Sequence, residues 1–157
     1  MHCFDLEDGA GDDLTKFFPD KKWDCFAGSQ VLEHALDPVV MLRSWIACLK
    51  PKGYIVATVP DWTRYEKEIW PSQWNAGHRS IWSLDANSIF NAIRDYPEAI
   101  CILLPDWLNQ FLNTDKPCEI LLCRLIDTSD HSLPDNVDQT LPADGAEVFI
   151  EMVLRRI

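Results

Sequence analysis

Apolar residues recur at helical spacing in one stretch of the chain and run unbroken in the next. Leu42, Trp45, Ile46 and Leu49 stand at i, i+3, i+4 and i+7, which gathers them on one face of a helix. Asp37 and Pro38 lead into that run. An Asp side chain caps the free N–H groups of a first turn, and Pro suits the first helical position, where no N–H is needed. Lys50 falls in the last turn, and Pro51 with Gly53 stops the helix. Tyr54 to Val59 is then continuously apolar and rich in β-branched residues, as expected of a strand buried on both faces. Upstream, Trp23 to Ala27 reads as another strand, ending at Gly28-Ser29-Gln30. Two strands joined by an amphipathic helix make a right-handed βαβ unit with parallel strands. Ligands of open α/β sheets bind beyond the carboxyl ends of the strands, which here are Gly28-Ser29-Gln30 and Pro60-Asp61.

The rest of the chain is weaker in pattern. Residues 1–22 hold an acidic, glycine-containing stretch from Glu7 to Asp13, read as a loop, and a short helical turn over Leu14 to Phe18. Trp62 to Asp85 is rich in Trp but poor in periodic apolar residues; it predicts an irregular excursion at 62–84, with one helical turn at Tyr65 to Ile69. A long excursion at a ligand edge usually serves as a lid or substrate loop. Ser83 or Asp85 caps the next helix, Ala86 to Arg94, with Ile89, Phe90 and Ile93 as its inner face. Ala99 to Phe111 is ambiguous: Ile100 to Leu104 suits a strand, and Pro105 to Leu112 looks helical. Glu119 to Asp127 reads as a strand, and Glu147 to Arg155 alternates as a last strand antiparallel to it. The fold class that follows is α/β, a partial Rossmann-like fold with a mostly parallel sheet and an antiparallel C-terminal strand. At 157 residues, one domain (1–157) is the default.

Composition narrows the function classes. The net charge of −11, with no Lys/Arg run beyond a pair, argues against nucleic acid and anionic membrane as partners. It favours a small molecule or a protein. The six cysteines form no C-x-x-C pair and read as buried free thiols of a reducing cytosol, not a metal or redox centre. No apolar run approaches the roughly 18 residues of a membrane span, and no signal peptide is evident; a cytoplasmic location is expected. Glu33-His34 looks like a metal or acid–base pair in isolation, but nearby partners are too few for zinc, so no metal is expected.

Several motifs then fall in order: Phe18-Pro19-Asp20-Lys21-Lys22-Trp23-Asp24, Val31-Leu32-Glu33-His34, Asp37-Pro38, and Leu49-Lys50-Pro51-Lys52-Gly53-Tyr54. This run closely resembles the class I S-adenosylmethionine-dependent methyltransferases, most of all the small-molecule methyltransferase type 11 group. The resemblance covers the chain from about Asp8 to its end. It implies that Trp23 to Asp61 matches the family's fourth strand, helix and fifth strand, and that Glu119 to Arg155 matches its antiparallel sixth and seventh strands.

The resemblance implies S-adenosylmethionine as cofactor and a small-molecule acceptor. Cofactor contacts are expected at Gly28, Ser29 and Gln30. Asp12, Asp13 and Leu14 would line an adenine pocket, with Asp8 or Asp12 replacing the family's Asp where this chain has Ala10. Asp61 and His78 are the candidates for acceptor chemistry. A loop His near neutral pKa suits removal of a proton, the other reading being a His that anchors its loop; Tyr65, Glu66, Trp70 and Trp74 are read as shaping an acceptor pocket or, in preference, as packing the excursion. The family's opening strand and G-x-G-x-G turn have no counterpart here, so the domain is expected to be N-terminally incomplete. That leaves an alternative: a non-catalytic module using an open sheet edge to pair with a second copy or another chain.

Overall fold

The computed structural model describes residues 15, 22–115, 117–128, 132 and 148–157, with side chains left undescribed at 111–115. Asp8, Asp12, Asp13 and Leu14, assigned to the adenine pocket, lie outside the described residues, as does most of the predicted turn at Leu14 to Phe18.

Strand β1 (Trp23–Ser29) is followed by a single 3₁₀ turn (Leu32–His34) and helix α1 (Pro38–Cys48). The capping expected of Asp37 is made: its Oδ1 accepts from the backbone N–H of Val39 at 2.9 Å and Val40 at 3.1 Å. Leu42, Trp45, Ile46 and Leu49 are all buried. The helix ends at Cys48, so Lys50, Pro51 and Gly53 fall instead inside β2 (Leu49–Pro60). A register shift between Trp23 and Cys25 takes up that extra length against β1. Along β2 the inward positions Ile55, Ala57 and Val59 are buried, whereas Tyr54 is exposed. This strand therefore alternates, because only one of its faces lies under α1.

β1 and β2 pair in parallel, as the βαβ pattern requires. After β2 the described residues form strands β3 (Ser80–Ser83), β4 (Ile100–Leu103), β5 (Cys118–Asp127) and β6 (Val148–Arg156), and helices α2 (Ala86–Asp95) and α3 (Leu104–Asp115). The main sheet has the order β1-β2-β6-β5. Both β2–β6 and β5–β6 are antiparallel, so the expectation of a mostly parallel sheet is corrected to a mixed one. β3 and β4, also parallel, form a separate two-stranded sheet. Parallel neighbours need a crossover; α2 supplies it between β3 and β4.

The ambiguous stretch resolves into both alternatives, β4 and then α3. The excursion contains β3 and otherwise turns, without the expected helical turn at Tyr65 to Ile69. The inner face of α2 also differs from expectation. Ser88, Ile89 and Ala92 are buried, whereas Phe90 and Ile93 are 68% and 52% exposed. Small residues let α2 lie close to β3 and β4, and the large ones turn outward.

Two apolar clusters result. The larger packs α1 against the main sheet around Leu42, Trp45, Ile55 and Met152. The smaller joins Trp62 and Ile81 to Ile89 and Ala92 of α2. Among the described residues, no helix is long and apolar enough to cross a membrane.

Candidate functional site

The carboxyl ends of β1 and β2 converge as the βαβ unit predicts. Gly28 is a place of close approach: a Cβ there would lie 2.6 Å from Cη2 of Trp45. Ser29 is exposed and its Oγ accepts from Thr58 Oγ1 at 3.1 Å. Gln30 has φ 56°, a left-handed conformation costly for a residue with a side chain, and its N–H donates to Thr58 O at 3.0 Å. The expected cofactor edge therefore has a fixed backbone and an exposed hydroxyl.

Asp61 follows β2 directly and is only 4% exposed. Its Oδ1 accepts from Thr63 N at 3.1 Å, Thr63 Oγ1 at 2.7 Å and Arg64 N at 3.0 Å. Burial raises its pKa, and those hydrogen bonds and the Arg64 charge oppose the rise. The Asp61 carbonyl also accepts from Tyr65 N at 2.9 Å and Glu66 N at 3.3 Å. Asp61 thus builds the tight turn that sends Glu66 back beneath the sheet edge.

A second turn delivers His78. Asn75 Oδ1 accepts from Gly77 N at 2.9 Å, and Asn75 O accepts from His78 N at 3.1 Å. Arg79 N then donates to Glu33 O at 2.7 Å, which binds the excursion to the 3₁₀ turn after β1. A side chain at Gly77 would collide with the His34 ring, since a Cβ would lie 2.9 Å from its Nδ1.

These two turns and the 3₁₀ turn assemble a buried group that no single stretch of sequence contains. His78 Nδ1 and Glu66 Oε1 are 2.5 Å apart. His78 Nε2 lies 3.8 Å from Glu33 Oε1, and His34 Nε2 lies 3.7 Å from the same oxygen. The His34 and His78 rings meet edge to face at 4.9 Å, and Tyr65 lies against His78 at 5.8 Å. The side chains of Glu33, His78 and Glu66 are 0%, 1% and 2% exposed; that of His34 is 20% exposed.

The electrostatics follow from that burial. Desolvation, reinforced by the Glu66 carboxylate, pushes the Glu33 pKa up to about 8, opposed only by the pull of its own backbone N–H. Desolvation also lowers the His34 pKa, opposed by a hydrogen bond to the Gly77 backbone. Both Glu33 oxygens and Glu66 Oε2 lack hydrogen-bond partners among the described residues. Such atoms are costly to bury.

The partners that Glu33 and His34 lack along the sequence are therefore supplied by the excursion. Glu66 entered the sequence reading only as pocket lining, and its pairing with His78 had no signal in local spacing. His78, expected over the active edge, is packed within this cluster. Asp61 lies in a turn of the same excursion.

No protein-family model matches the chain, and no curated protein matches it. Solved structures similar to it include the [4+2]-cyclase SpnF, at 16% identity and a TM-score of 0.46, covering 87% of this chain and 50% of that one. A SAM-dependent methyltransferase from Methanosarcina mazei is 15% identical with a TM-score of 0.46, covering 88% of this chain and 61% of that one. A SAM-dependent methyltransferase from Archaeoglobus fulgidus is 16% identical with a TM-score of 0.40, covering 91% of this chain and 63% of that one. The chain thus spans half to less than two thirds of the length of these structures, and the likeness is too distant to transfer a residue or an activity.

Proposed function

We propose that this protein transfers a methyl group from S-adenosylmethionine to a small-molecule acceptor. One observation carries the reading. The motif run from Phe18 to Tyr54 resembles the methyltransferases, and its part from Trp23 onward lies on a parallel β1-α1-β2 unit whose carboxyl edge presents Ser29 and Gln30. The edge fits the polar parts of such a cofactor: Ser29 Oγ already accepts from Thr58, so its own proton is available to a ligand oxygen. Gly28 contributes by backbone, since Trp45 fills the space where a side chain would stand.

When bound, S-adenosylmethionine supplies an electrophilic sulfonium methyl group. Methyl transfer forms a bond from the acceptor's oxygen or nitrogen to the methyl carbon, breaks the carbon–sulfur bond with its electron pair going to sulfur, and releases the acceptor's proton. The demand on the protein is alignment and exclusion of water. Ser29 and Gln30 would hold and orient the cofactor, and the Trp-rich excursion would cover the acceptor. His78 and Asp61 fit best as residues that fix this cover, His78 by its pairing with Glu66 and Asp61 by its turn.

Calorimetry with S-adenosylmethionine and S-adenosylhomocysteine tests the reading. Submillimolar binding is expected, weakened at least about tenfold by Ser29→Ala with Gln30→Ala, a loss of about 1.4 kcal/mol. An absence of binding by both compounds at millimolar concentration ends it.

A second reading is a non-catalytic module that pairs with a second copy or another chain. It is favoured by the position of β1 at the end of the four-stranded order, with Asp24, Cys25, Ala27 and Ser29 exposed. Light scattering across a concentration series separates the monomer from a self-paired form.

A further inference from the structure

We propose that Glu33, His34 and His78 form a binding site for one divalent first-row transition-metal ion of the zinc type, held by the Glu33 carboxylate and the Nε2 atoms of both imidazoles. Glu66 orients His78 from behind. The site is independent of the methyl-transfer reading.

The donor atoms of the three residues all lie within 4.8 Å of one another. Both Nε2 atoms face the same oxygen, Glu33 Oε1, at 3.7 and 3.8 Å. Those separations are too long for hydrogen bonds. Metal–ligand bonds of about 2.0–2.2 Å place neighbouring donors of a tetrahedral ion about 3.3–3.5 Å apart. Side-chain movements below about 1 Å therefore bring the set onto one ion.

The opposite ring nitrogens are already engaged. His78 Nδ1 pairs with Glu66 Oε1, and His34 turns its Nδ1 toward Gly77, whose backbone hydrogen-bonds to the His34 ring. An acceptor on the far nitrogen fixes a tautomer that leaves Nε2 as a lone-pair donor, the arrangement found behind metal-bound histidines.

Glu33 supplies the independent pointer to a ligand. Its side chain is 0% exposed, and neither carboxylate oxygen meets a hydrogen-bond donor among the described residues. The nearest charged groups from each packed element are accounted for: Glu66 adds negative charge, and the Arg79 charge acts on His34. A cation between the imidazoles satisfies Glu33 where the protein does not. Two imidazoles and one carboxylate select a transition ion over Mg²⁺ or Ca²⁺, which prefer all-oxygen sets. Such an ion would link the turn after β1 to the excursion at the ligand edge.

The test uses the full chain stripped with a chelator, then titrated with Co²⁺ and Zn²⁺. One equivalent of Co²⁺ is expected to give a d–d spectrum without a sulfur-to-cobalt charge-transfer band, with Zn²⁺ displacing it. Glu33→Gln keeps the shape and removes the charge, so it stays folded by circular dichroism, and binding falls at least about 100-fold. Glu66→Gln lowers affinity about 10–100-fold without removing a ligand. Absence of binding at millimolar Co²⁺ and Zn²⁺ overturns the proposal. A thiolate band overturns it as well, because cysteines would then be the ligands, and so does binding unchanged in Glu33→Gln, because the ion would then sit on other groups.

Discussion

Gly28 is a residue whose identity is set by a single neighbour. Trp45 is buried at 5% exposure and stacks on Phe26 at 6.0 Å, so its indole has no room to retreat from a new methyl group. A Cβ at residue 28 would meet Trp45 Cη2 at 2.6 Å and Cζ3 at 3.1 Å. Gly28→Ala should therefore destabilise the fold by about 1–3 kcal/mol, despite the small gain from a stiffer unfolded chain. Urea denaturation measures this, and an unchanged or higher midpoint would sink the argument. The sequence marked Gly28 as an edge residue but gave no sign of Trp45 above it. Glu33 and His34 were equally incomplete as a sequence signal. The residues that finish their cluster, Glu66 and His78, are brought back by turns that Asp61 and Asn75 cap. Spacing along the chain encodes helices and strands, and turn-closed clusters fall outside that code.

At the scale of elements, the parts with strong periodicity and good caps were the legible ones. α1 begins at Pro38 behind Asp37, as the sequence dictates. Its far end was misjudged because the residues expected to stop it, Pro51 and Gly53, belong to β2. Carbonyls in the last turn of α1 are instead met from β6: Arg156 donates to Ile46 O at 3.1 Å and Ala47 O at 3.4 Å, and also to Leu49 O at the start of β2. α2 was found but turned, because large apolar side chains were taken as its inner face and the close contact with β3 and β4 selects Ser88 and Ala92. The cap of α1 gives a direct test. Asp37 is exposed, so its removal disturbs little besides the two hydrogen bonds to Val39 and Val40. Asp37→Ala should cost about 1 kcal/mol, while Asp37→Ser should recover most of it. A thermal melt in which both variants match the parent would refute a capping role.

Across the whole molecule, a mixed α/β architecture was readable, with the parallel β1–β2 pair and the antiparallel β5–β6 pair; the place of β6 beside β2 was not. The βαβ unit suggested a mostly parallel sheet with one antiparallel strand at its C-terminal end, but β6 enters between β2 and β5 and runs antiparallel to both. The buried cluster of Glu33, His34 and His78 makes the molecule's stability respond to pH. In the metal-free protein, burial holds the Glu33 pKa at about 8, against about 4.3 for an unperturbed Glu. Between those values the folded chain retains a proton that the unfolded chain has lost, so the folded state binds more protons and stability falls as pH rises. The contribution is intact below about pH 4.3 and is lost progressively as pH climbs to about 8. His34, with a lowered pKa, works the other way: it makes the fold less stable as pH drops below about 6.5. The two effects overlap, so the total curve does not isolate Glu33. The difference between the parent and Glu33→Gln does, since the amide carries no charge at any pH. In chelator, Glu33→Gln should gain stability relative to the parent as pH rises from 5 to 8, by an amount on the order of 1–3 kcal/mol. Guanidinium unfolding at pH 5, 6.5 and 8 reads that difference. A difference that stays constant with pH would place the Glu33 charge in a solvated setting and remove the strain assigned to the cluster.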